Sequence, residues 1–364
     1  MLRRRTYIED NRVLADSGEC TTDIRVRDPI TALWIEFKAN NGSTSNVDNT
    51  LIDAITQISV VDGSTVLFSA TGYEAWAVGA YRTGYIIPQA ITEVSGATQT
   101  CVIPILFGRY VGDPSYAFDP GRFRNPQIRI EWNLGAVRSV GATGFETGTL
   151  RYTVVADVME GAAGASQLIG VKRHYSFVTA ASGWEYIDMP TDAPYVSLYL
   201  RSYEAGVGQL SNISTIRLNC DQNKFVPFDE GTDDFLRSLQ ISYPPFSYRH
   251  TLLKASGDTA YFLLKYDERV AYLCAVADGV VTATNTGIGE QTLAVYVAGT
   301  ASTTARRIDA AVQGYLPVST VRITFGDPYS PDEWFDTSLW RSIRLELEQS
   351  GAGGVASVLV EQPL

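Results

Sequence analysis

The feature that most constrains the fold of this chain is a motif that occurs twice. The first copy, Phe107 to Glu131, reads FGRYVGDPSYAFDPGRFRNPQIRIE, and the second, Phe325 to Glu346, reads FGDPYSPDEWFDTSLWRSIRLE. The matched pairs are Phe107/Phe325, Asp113/Asp327, Phe118/Phe335, Asp119/Asp336, Phe123/Trp340, Arg124/Arg341, Ile128/Ile343 and Glu131/Glu346. A repeat at this separation predicts two copies of one domain.

Short segments in which apolar and polar residues alternate predict an all-β chain. Leu33, Ile35 and Phe37 occupy alternate positions of the segment TALWIEFK, the pattern of a half-buried strand. Asp62 and Gly63 lie between two apolar segments and predict a tight hairpin turn. The 20 Tyr, 14 Phe and 31 Gly suit short strands and turns. The first half offers about eight such strands, the number in a jelly roll.

One short helix is predicted in each half, after the second hairpin. Between Gly72 and Arg82, aromatic and small residues recur at helical spacing, which predicts a helix with its aromatic side on the sheets. Between Thr232 and Gln240, apolar residues recur in the same way, and Thr232 is placed to cap the helix. The two helices therefore belong to corresponding places in the repeat.

These patterns predict two tandem eight-stranded jelly rolls, each with a short helix. The segment GAAG at residues 161–164 has the composition of a linker. The predicted divisions are an N-terminal arm at 1–16, a first roll at 17–160, a linker at 161–171 and a second roll at 172–364.

The second half is longer than the first. Ile213 to Phe325 spans 112 residues, whereas the matching Ile55 to Phe107 spans 52, so the second copy carries 60 more (112 − 52). A strand-rich insertion cannot enter a packed barrel and must leave it at an end. We predict a decorating insertion at about 255–312, at the outer end of the second roll and away from the N-terminus.

Charge and hydropathy exclude several classes of protein. The net charge of −11 and the pI of about 4.8 disfavour extensive, specific nucleic-acid binding, which needs clustered Lys and Arg. No apolar segment approaches the roughly 18 residues of a membrane span, and we expect no signal peptide, so synthesis is expected in a cytoplasm. Arg3, Arg4 and Arg5 form the basic cluster at the N-terminus, interpreted either as a solvated tail or as an arm facing an interior or a membrane.

The sequence predicts neither a catalytic nor a metal site. His174 and His250 are the two histidines, and neither lies in a setting that suits a catalytic triad or paired metal ligands. The four cysteines occur singly, without a C-x-x-C spacing: Cys20, Cys101, Cys220 and Cys274. We therefore expect no enzyme activity and no cofactor.

Two sets of acidic residues are candidate sites. Asp229, Glu230, Asp233 and Asp234 cluster at the start of the second predicted helix, where acids complement the helix dipole; calcium binding is the alternative. The acids of the repeat occur in both halves, which favours a structural role, since a catalytic pair is seldom duplicated. We expect them to pair with the repeated arginines, either across strands or between neighbouring subunits; these arginines are Arg124, Arg341, Arg129 and Arg344.

Two tandem jelly rolls, each with a helix after the second hairpin, resemble the double jelly-roll major capsid proteins of tailless icosahedral viruses. These viruses include bacteriophages with an internal membrane and, more distantly, adenovirus. The resemblance covers nearly the whole chain as architecture. It is carried by the segment DAITQISVVDGSTVLFS and by the first copy of the repeated motif.

The resemblance implies a structural protein of the virion. It implies a homotrimer, a pseudo-hexagonal capsomer, that assembles into an icosahedral capsid lattice after synthesis in the host cytoplasm. The implied partners are further copies of the chain, penton and minor capsid proteins, and an internal lipid membrane in viruses that have one. The N-terminal arm, with Arg3, Arg4 and Arg5, is implied to reach inward towards that membrane or neighbouring capsomers.

Two other functions are compatible with a pair of jelly rolls. One is a carbohydrate-active or amidase-type enzyme with carboxylates in a cleft between the rolls. The other is a sugar-binding protein that uses Tyr243, Tyr248 and Tyr261 as stacking platforms. Assembly separates these alternatives from a capsid protein, which should purify as a trimer or form lattices.

Overall fold

Regular β-structure occupies most of the described chain. The computed structural model describes residues 2–42, 50–85, 90–92, 95–136, 144–162, 164–165, 167–204, 210–242, 246–254, 257–263, 271–276, 281–285, 292–297 and 306–364. For residues 90–92, 240, 242 and 247–313, the description covers the backbone alone.

The described part of the first half contains nine strands and one α-helix. They are β1 (Leu2–Val13), β2 (Ser17–Asp23), β3 (Ile30–Asn40), β4 (Ile55–Asp62), β5 (Thr65–Ala70), α1 (Gly72–Thr83), β6 (Ala90–Thr92), β7 (Thr98–Leu106), β8 (Pro126–Asn133) and β9 (Arg151–Glu160). Eight of these strands build a roll from two antiparallel sheets, ordered β1-β9-β3-β7 and β2-β8-β4-β5.

The second half has elements that correspond to those of the first roll, and an insertion separates the earlier ones from the later ones. They are β10 (Ile169–Val178), β11 (Gly183–Met189), β12 (Ser197–Tyr203), β13 (Ile213–Cys220), β14 (Phe225–Gly231) and α2 (Thr232–Ser242), and, after an insertion, β21 (Thr320–Thr324), β22 (Ile343–Gln349) and β23 (Val355–Pro363). Their sheets are ordered β10-β23-β12-β21 and β11-β22-β13-β14. Each roll thus pairs its first, eighth, third and sixth strands in one sheet and its second, seventh, fourth and fifth in the other. The predicted fold class, two eight-stranded rolls with one short helix each, is confirmed.

Among the described residues, the insertion contains six strands. They are β15 (Phe246–Lys254), β16 (Gly257–Leu263), β17 (Ala271–Val276), β18 (Val281–Asn285), β19 (Thr292–Val297) and β20 (Arg306–Gly314). β15 pairs with β6 of the first roll, so β15, β20 and β17 continue the sheet of that roll, while β16, β19 and β18 form a separate sheet. β17 and β1 are therefore opposite edges of one eight-stranded sheet. The location of the insertion at the outer end of the second roll stays a prediction.

Each roll has its own hydrophobic core between its sheets. In the first, the alternate residues Leu33, Ile35 and Phe37 of β3 are fully buried, as their spacing predicts. In the second, Leu198 and Leu200 of β12 are buried in the same way. Burial of these apolar faces is the main favourable contribution to folding.

β12 departs from the alternating pattern because both of its faces are buried. Leu198 and Leu200 face the core of the second roll, while Tyr199, also 0% exposed, packs into the core cluster of the first roll. The outer face of the sheet β10-β23-β12-β21 therefore packs against the first roll. A continuous sheet reinforces this contact, since Lys172 of β10 pairs with Ser69 of β5.

The predicted N-terminal arm at residues 1–16 is corrected by the structure. Residues 2–13 form β1, the first strand of the first roll, which pairs with β9 along its whole length. Arg3, Arg4 and Arg5 lie on this strand, where Arg4 pairs with Glu160 at 3.3 Å and Arg5 with Asp157 at 3.1 Å. The prediction failed because β1 is an edge strand with no fully buried side chain, so its sequence lacks the alternation that marks a strand.

The described helices are short. α1 has 12 residues and α2 has 11. In the part of the chain that the structure describes, no helix is long and apolar enough to cross a membrane.

Candidate functional site: the junction between the two rolls

Helix α1 is defined at both ends by its local sequence. Thr71 and Glu74 form a capping box, in which the Thr71 backbone N–H donates to Glu74 Oε2 at 2.7 Å. Gly84 ends the helix in the left-handed conformation at φ 76°, which glycine adopts without strain. At Gly79, an added Cβ would lie 2.3 Å from Cγ of Pro104 on β7, so only glycine allows this close packing. The helix is therefore fixed tightly on the first roll.

The other side of α1 contacts the second roll. The Tyr81 hydroxyl donates to the Thr320 carbonyl at 2.9 Å and to the Tyr315 carbonyl at 3.2 Å. The Tyr81 ring lies 6.0 Å from the ring of Tyr199 and 5.3 Å from that of Phe246. Aromatic contacts at these separations add to the burial energy. One helix of the first roll thus forms much of the junction.

A buried network of charged residues lies beside this contact. Glu361 of β23 pairs with Arg82 of α1 at 3.2 Å and with Arg322 of β21 at 3.2 Å. The Tyr199 hydroxyl donates to the same carboxylate at 3.0 Å, and Arg322 Nε donates to Ser197 Oγ at 2.9 Å. Arg82 also donates to two carbonyl oxygens at and just beyond the end of β7. These hydrogen bonds offset the cost of burying the charges.

The electrostatics of the network keep Glu361 ionised. Burial raises the pKa of its carboxyl, but the guanidiniums of Arg322 and Arg82 and the hydrogen bonds from Tyr199 and Ser197 outweigh this and hold that pKa below its ordinary value. Since Arg82 belongs to the first roll and Glu361 to the second, this ion pair fixes one roll against the other.

The two copies of the repeated motif form equivalent turns next to the junction. Phe107 directly follows β7 and Phe325 directly follows β21, the sixth strand of each roll. The ring of Phe107 lies 5.1 Å from that of Phe118, and the ring of Phe325 lies 4.6 Å from that of Phe335. Each Phe pair therefore anchors its turn to the core of its own roll.

The glycine after each of these phenylalanines is required by close packing. An added Cβ at Gly108 would lie 2.4 Å from the Tyr116 carbonyl oxygen, and one at Gly326 would lie 2.8 Å from Glu333 Cβ. In both copies the chain folds back onto this glycine. The repeated Phe-Gly is therefore explained by one aromatic anchor and one close backbone approach.

The repeated aspartates support the same turns. Asp113, Asp327, Asp119 and Asp336 each accept a hydrogen bond from the backbone N–H two residues later, at 2.9 to 3.0 Å. Asp113 is fully buried and also binds Arg109 through both carboxylate oxygens, at 2.7 and 3.0 Å. Burial alone would raise the pKa of Asp113, but these hydrogen bonds hold it below its ordinary value.

The two turns contact each other across the junction. Arg109 of the first copy donates to the Tyr329 carbonyl of the second at 3.1 Å. The rings of Tyr116 and Trp334 lie 5.5 Å apart, and Trp334 is buried. The motif that marks each roll therefore also joins the two rolls.

Comparison with known proteins gives similarity in structure but not in sequence. No family model matches the chain, and no curated protein matches it. The crystal structure of the STIV major capsid protein is similar over 99% of this chain and 96% of its own, with a TM-score of 0.59 and 10% identity. The major capsid protein of bacteriophage PM2 (100% and 97% covered, TM-score 0.54, 10% identity) and VP54 of PBCV-1 (100% and 94%, 0.56, 10%) are also similar.

The similarity covers nearly the whole chain and therefore spans both rolls. The chain folds as a double jelly roll. At 10% identity the shared property is the fold. At this low identity the comparisons do not extend to the individual side chains of the junction, which are described here for this chain alone.

The double jelly roll does not form the ion pairs expected within the second copy of the motif. Arg344 pairs with Asp188 of β11 at 3.0 Å, and Glu346 pairs with Arg217 of β13 at 3.4 Å. The expectation that these repeated acids and arginines pair with each other inside the chain is therefore wrong here, because each faces a neighbouring strand. Pairing of these acids and arginines between neighbouring subunits stays a prediction. Arg341 donates its backbone N–H to Asp221 at 2.8 Å, and Arg124 is exposed.

The acidic cluster at the second helix is exposed. Asp229 and Glu230 lie near the end of β14, and Asp233 and Asp234 lie in the first turn of α2. Asp229 lies 3.5 Å from Arg217, and Asp234 lies 2.9 Å from Arg237. Within the described ranges, no group of three His, Cys, Asp or Glu forms a candidate metal site.

The remaining reactive residues are dispersed in the double jelly roll. Cys20, Cys101 and Cys220 are free and buried. His174 is exposed, and its Nε2 lies 2.7 Å from the Asp188 carbonyl oxygen. The side chains of Cys274 and His250, and those of Tyr243, Tyr248 and Tyr261, which the sugar-binding alternative needs, lie outside the described residues.

Sequence reasoning missed the charged network at the junction. The available signal was a charge beside apolar residues. Glu361 follows the apolar segment VASVLV, and Arg82 lies in the last turn of a helix of small and aromatic residues. Nothing in the sequence shows that these two side chains meet, since 278 residues separate them (361 − 82 − 1).

Proposed function

We propose that this chain is a structural major capsid protein, a coat protein that assembles itself into the shell of an icosahedral virus such as a bacteriophage. The observation that carries the proposal is the double jelly-roll fold, shared over nearly the full length of three viral capsid proteins. The role is structural rather than enzymatic, and the protein belongs in the virion.

The junction suits this function because a shell needs subunits of fixed shape. Arg82 and Glu361 join the rolls through buried charges, and Arg109 and Tyr329 join them again through the motif. A buried ion pair penalises any other arrangement, since displacement would leave a charge unpaired. The two rolls then act as one rigid body.

The proposed assembly unit is a homotrimer. Three chains with two similar rolls each present six rolls around a threefold axis, and such a pseudo-hexagonal capsomer fills a six-sided position of an icosahedral lattice. Most oligomers have closed symmetry of this kind. Further partners would be penton and minor capsid proteins at positions where the lattice is not six-sided.

Contact with an internal membrane is a finer part of the proposal. Arg3, Arg4 and Arg5 lie on the exposed strand β1, and basic side chains are attracted to anionic lipid headgroups. The acidic body of the protein, with a net charge of −11, would be repelled by such a surface and by nucleic acid. In this proposal the N-terminal edge of the first roll faces the inside of the particle.

Sedimentation and electron microscopy of the purified protein test the proposal. We expect a stable trimer at micromolar concentration and six-lobed particles or lattices in images. A protein that stays monomeric and forms no lattice at any concentration or salt would contradict it. The alternative of a carbohydrate-active or sugar-binding protein would instead be supported by glycan binding to a monomer.

A further inference from the structure

The registers of the two rolls show which of their residues occupy equivalent positions. Leu106 and Thr324 are the residues directly before the repeated Phe-Gly, in the sixth strand of each roll. Leu106 pairs with Ala32 of β3, and Thr324 pairs with Ser197 of β12. Ala32 and Ser197 are therefore equivalent, as are residues at equal distances from them along the third strand of each roll.

Trp34 and Asp157 of the first roll occupy the positions of Tyr199 and Glu361, which lie at the junction. Trp34 is two residues beyond Ala32, and Tyr199 is two residues beyond the counterpart of Ala32. Asp157 pairs with Ala32 across the sheet, and Glu361 pairs with the same counterpart. In both rolls the aromatic side chain donates a hydrogen bond to the carboxylate, at 2.7 Å in the first and 3.0 Å in the second. The first roll therefore has a sheet face built like the one that α1 covers in the second.

The first roll leaves this face uncovered. Tyr199 and Leu359 pair across their sheet and are fully buried in the junction. Trp34 and Val155 pair in the same way but stay partly exposed. Tyr7 of β1 continues the same row and is 65% exposed. An exposed apolar row on a sheet marks an interaction site. We define this surface as the Trp34 face, formed by Tyr7, Trp34, Val155 and Asp157.

Helix α2 exposes an apolar residue at the place where α1 makes its contact. Tyr81 and Ile241 are each the tenth residue of their helix (81 − 72 + 1 and 241 − 232 + 1). The fifth residues, Trp76 and Leu236, are both buried, so the two helices turn the same side to their own rolls. Tyr81 lies on the ring of Tyr199, whereas Ile241 is 88% exposed. An isoleucine this exposed gains free energy when another surface covers it.

The strand edges that meet at the junction have equivalents that are unpaired. Lys172 of β10 pairs with Ser69 of β5, so the first strand of the second roll meets the fifth strand of the first. The remaining first and fifth strands, β1 and β14, each lie at the edge of their sheet among the described strands. An open edge presents backbone N–H and carbonyl groups with which another strand can pair. β14 and β1 are therefore suited to each other as β5 and β10 are.

We propose that α2 and β14 of one copy bind the Trp34 face and β1 of a second copy, repeating between chains the contact that α1 and β5 make within the chain. The inference rests on the proposed self-assembly. Ile241 then lies on Trp34 of the second copy, as Tyr81 lies on Tyr199. The contact joins different sides of the two rolls, so it is head-to-tail, and three copies close it into a ring of six rolls.

The charged part of the junction is not repeated between chains. Arg82, the eleventh residue of α1, binds Glu361, but the eleventh residue of α2 is Ser242 (82 − 72 + 1 and 242 − 232 + 1). Asp157 pairs instead with Arg5 of its own roll at 3.1 Å. The contact between chains therefore relies on apolar burial and strand pairing. It can be weakened without leaving a buried charge unpaired inside a roll.

Substitutions on the two surfaces test the energetics of the contact. I241D on α2 and, separately, Y7D on the Trp34 face should each raise the dissociation constant of the trimer about tenfold or more, measured by sedimentation. V178D is the matched control, since Val178 is 69% exposed but lies at the end of β10, outside both surfaces. Circular dichroism and thermal unfolding should show all three variants folded like the parent. An equal effect of V178D, or an unchanged dissociation constant in both I241D and Y7D, would overturn the inference.

Cross-linking tests which surfaces meet. Tyr7 lies two strands from Trp34, about 10 Å away, so a cysteine there is within reach of a bis-maleimide bound at position 241 of the next copy. The variant Y7C/I241C should give a covalent trimer, whereas Y7C and I241C alone, and the parent with its own cysteines, should remain single chains on a denaturing gel. Cross-linking of I241C alone would show two α2 helices in contact and overturn the inference. A trimer without cross-links in Y7C/I241C would overturn it while leaving the proposed function intact, and a chain that never assembles would overturn both.

Discussion

Equivalent residues of the two motif copies have different energetic roles. Asp113 and Asp327 both accept a backbone hydrogen bond two residues on, at 3.0 and 2.9 Å. Asp113 is fully buried against Arg109, whereas Asp327 is exposed and makes no comparable ion pair among the described residues. The turn is therefore conserved between the copies of this chain, and the buried charge pair is specific to the first.

This difference gives a prediction for matched substitutions. D113N leaves the Arg109 guanidinium, largely buried, without its carboxylate, and we expect the free energy of unfolding to fall by about 3 kcal/mol. D327N keeps a side-chain oxygen for the turn and should cost about 0.5 kcal/mol or less. Denaturant unfolding of both variants measures the difference, and equal losses would contradict the assigned role of Asp113.

At the scale of elements, α1 and β1 show that packing determines features of the structure which local sequence propensity does not. α1 has a capping box and a glycine end, so its limits follow from its sequence. Its position, however, depends on Gly79 meeting Pro104 of β7. β1 has no local signal at all and becomes a strand because β9 offers it a partner edge.

The helix contact is tested by two glycine substitutions. G79A would place a methyl group 2.3 Å from Pro104 Cγ, so we expect a loss of about 2 kcal/mol or more and displacement of α1. G84A meets nothing within 4 Å and carries only the strain of its left-handed conformation, about 1 kcal/mol. Thermal unfolding compares the stabilities of the two variants. A G79A protein as stable as G84A would show that the helix is not held this closely.

The role of β1 is tested by removing it. Deletion of residues 2–13 leaves the edge of β9 unpaired and should give an insoluble or unfolded protein, whereas loss of a free arm would be harmless. R3Q/R4Q keeps the strand and removes only the partly exposed ion pairs of Arg4, so its melting temperature should stay within about 3 °C. Normal folding of the deletion variant would restore the interpretation of this segment as an arm.

At the scale of the whole molecule, the junction makes one body of two rolls. Tyr199 and Glu361 belong to the second roll by sequence, yet they are buried against α1 of the first. Neither roll by itself would therefore bury the side chains on this side. The pairing of β10 with β5 makes one sheet continuous across both.

The junction should make stability depend on pH through Glu361. Its pKa is lowered in the folded protein, so its ionised form stabilises the fold above the ordinary value of about 4.3, and this contribution is lost as the pH falls through the lowered folded pKa. E361Q should cost about 3 kcal/mol at pH 7, and the gap to the parent should narrow progressively below about pH 4.

Denaturant unfolding between pH 3 and pH 8 measures that gap. D234N serves as the control, because Asp234 is an exposed carboxylate paired with Arg237 on one helix, and it should differ from the parent by about 0.5 kcal/mol or less throughout. A gap for E361Q that stays constant down to pH 3 would show that the carboxylate is not the stabilising group.

The sequence by itself determined the repeat, most of the strand pattern, the existence and starts of both helices, and hence the two-roll fold. These properties are local: Leu33, Ile35 and Phe37 alternate whatever lies against them, and a motif copied at Phe325 folds as it does at Phe107. Only the tertiary structure decided that β1 joins a sheet, that β15 extends the first roll, and that Arg82 meets Glu361. Those contacts join residues far apart in the chain, and they form because docking removes apolar surface and pairs buried charges, neither of which leaves a periodic trace in the sequence.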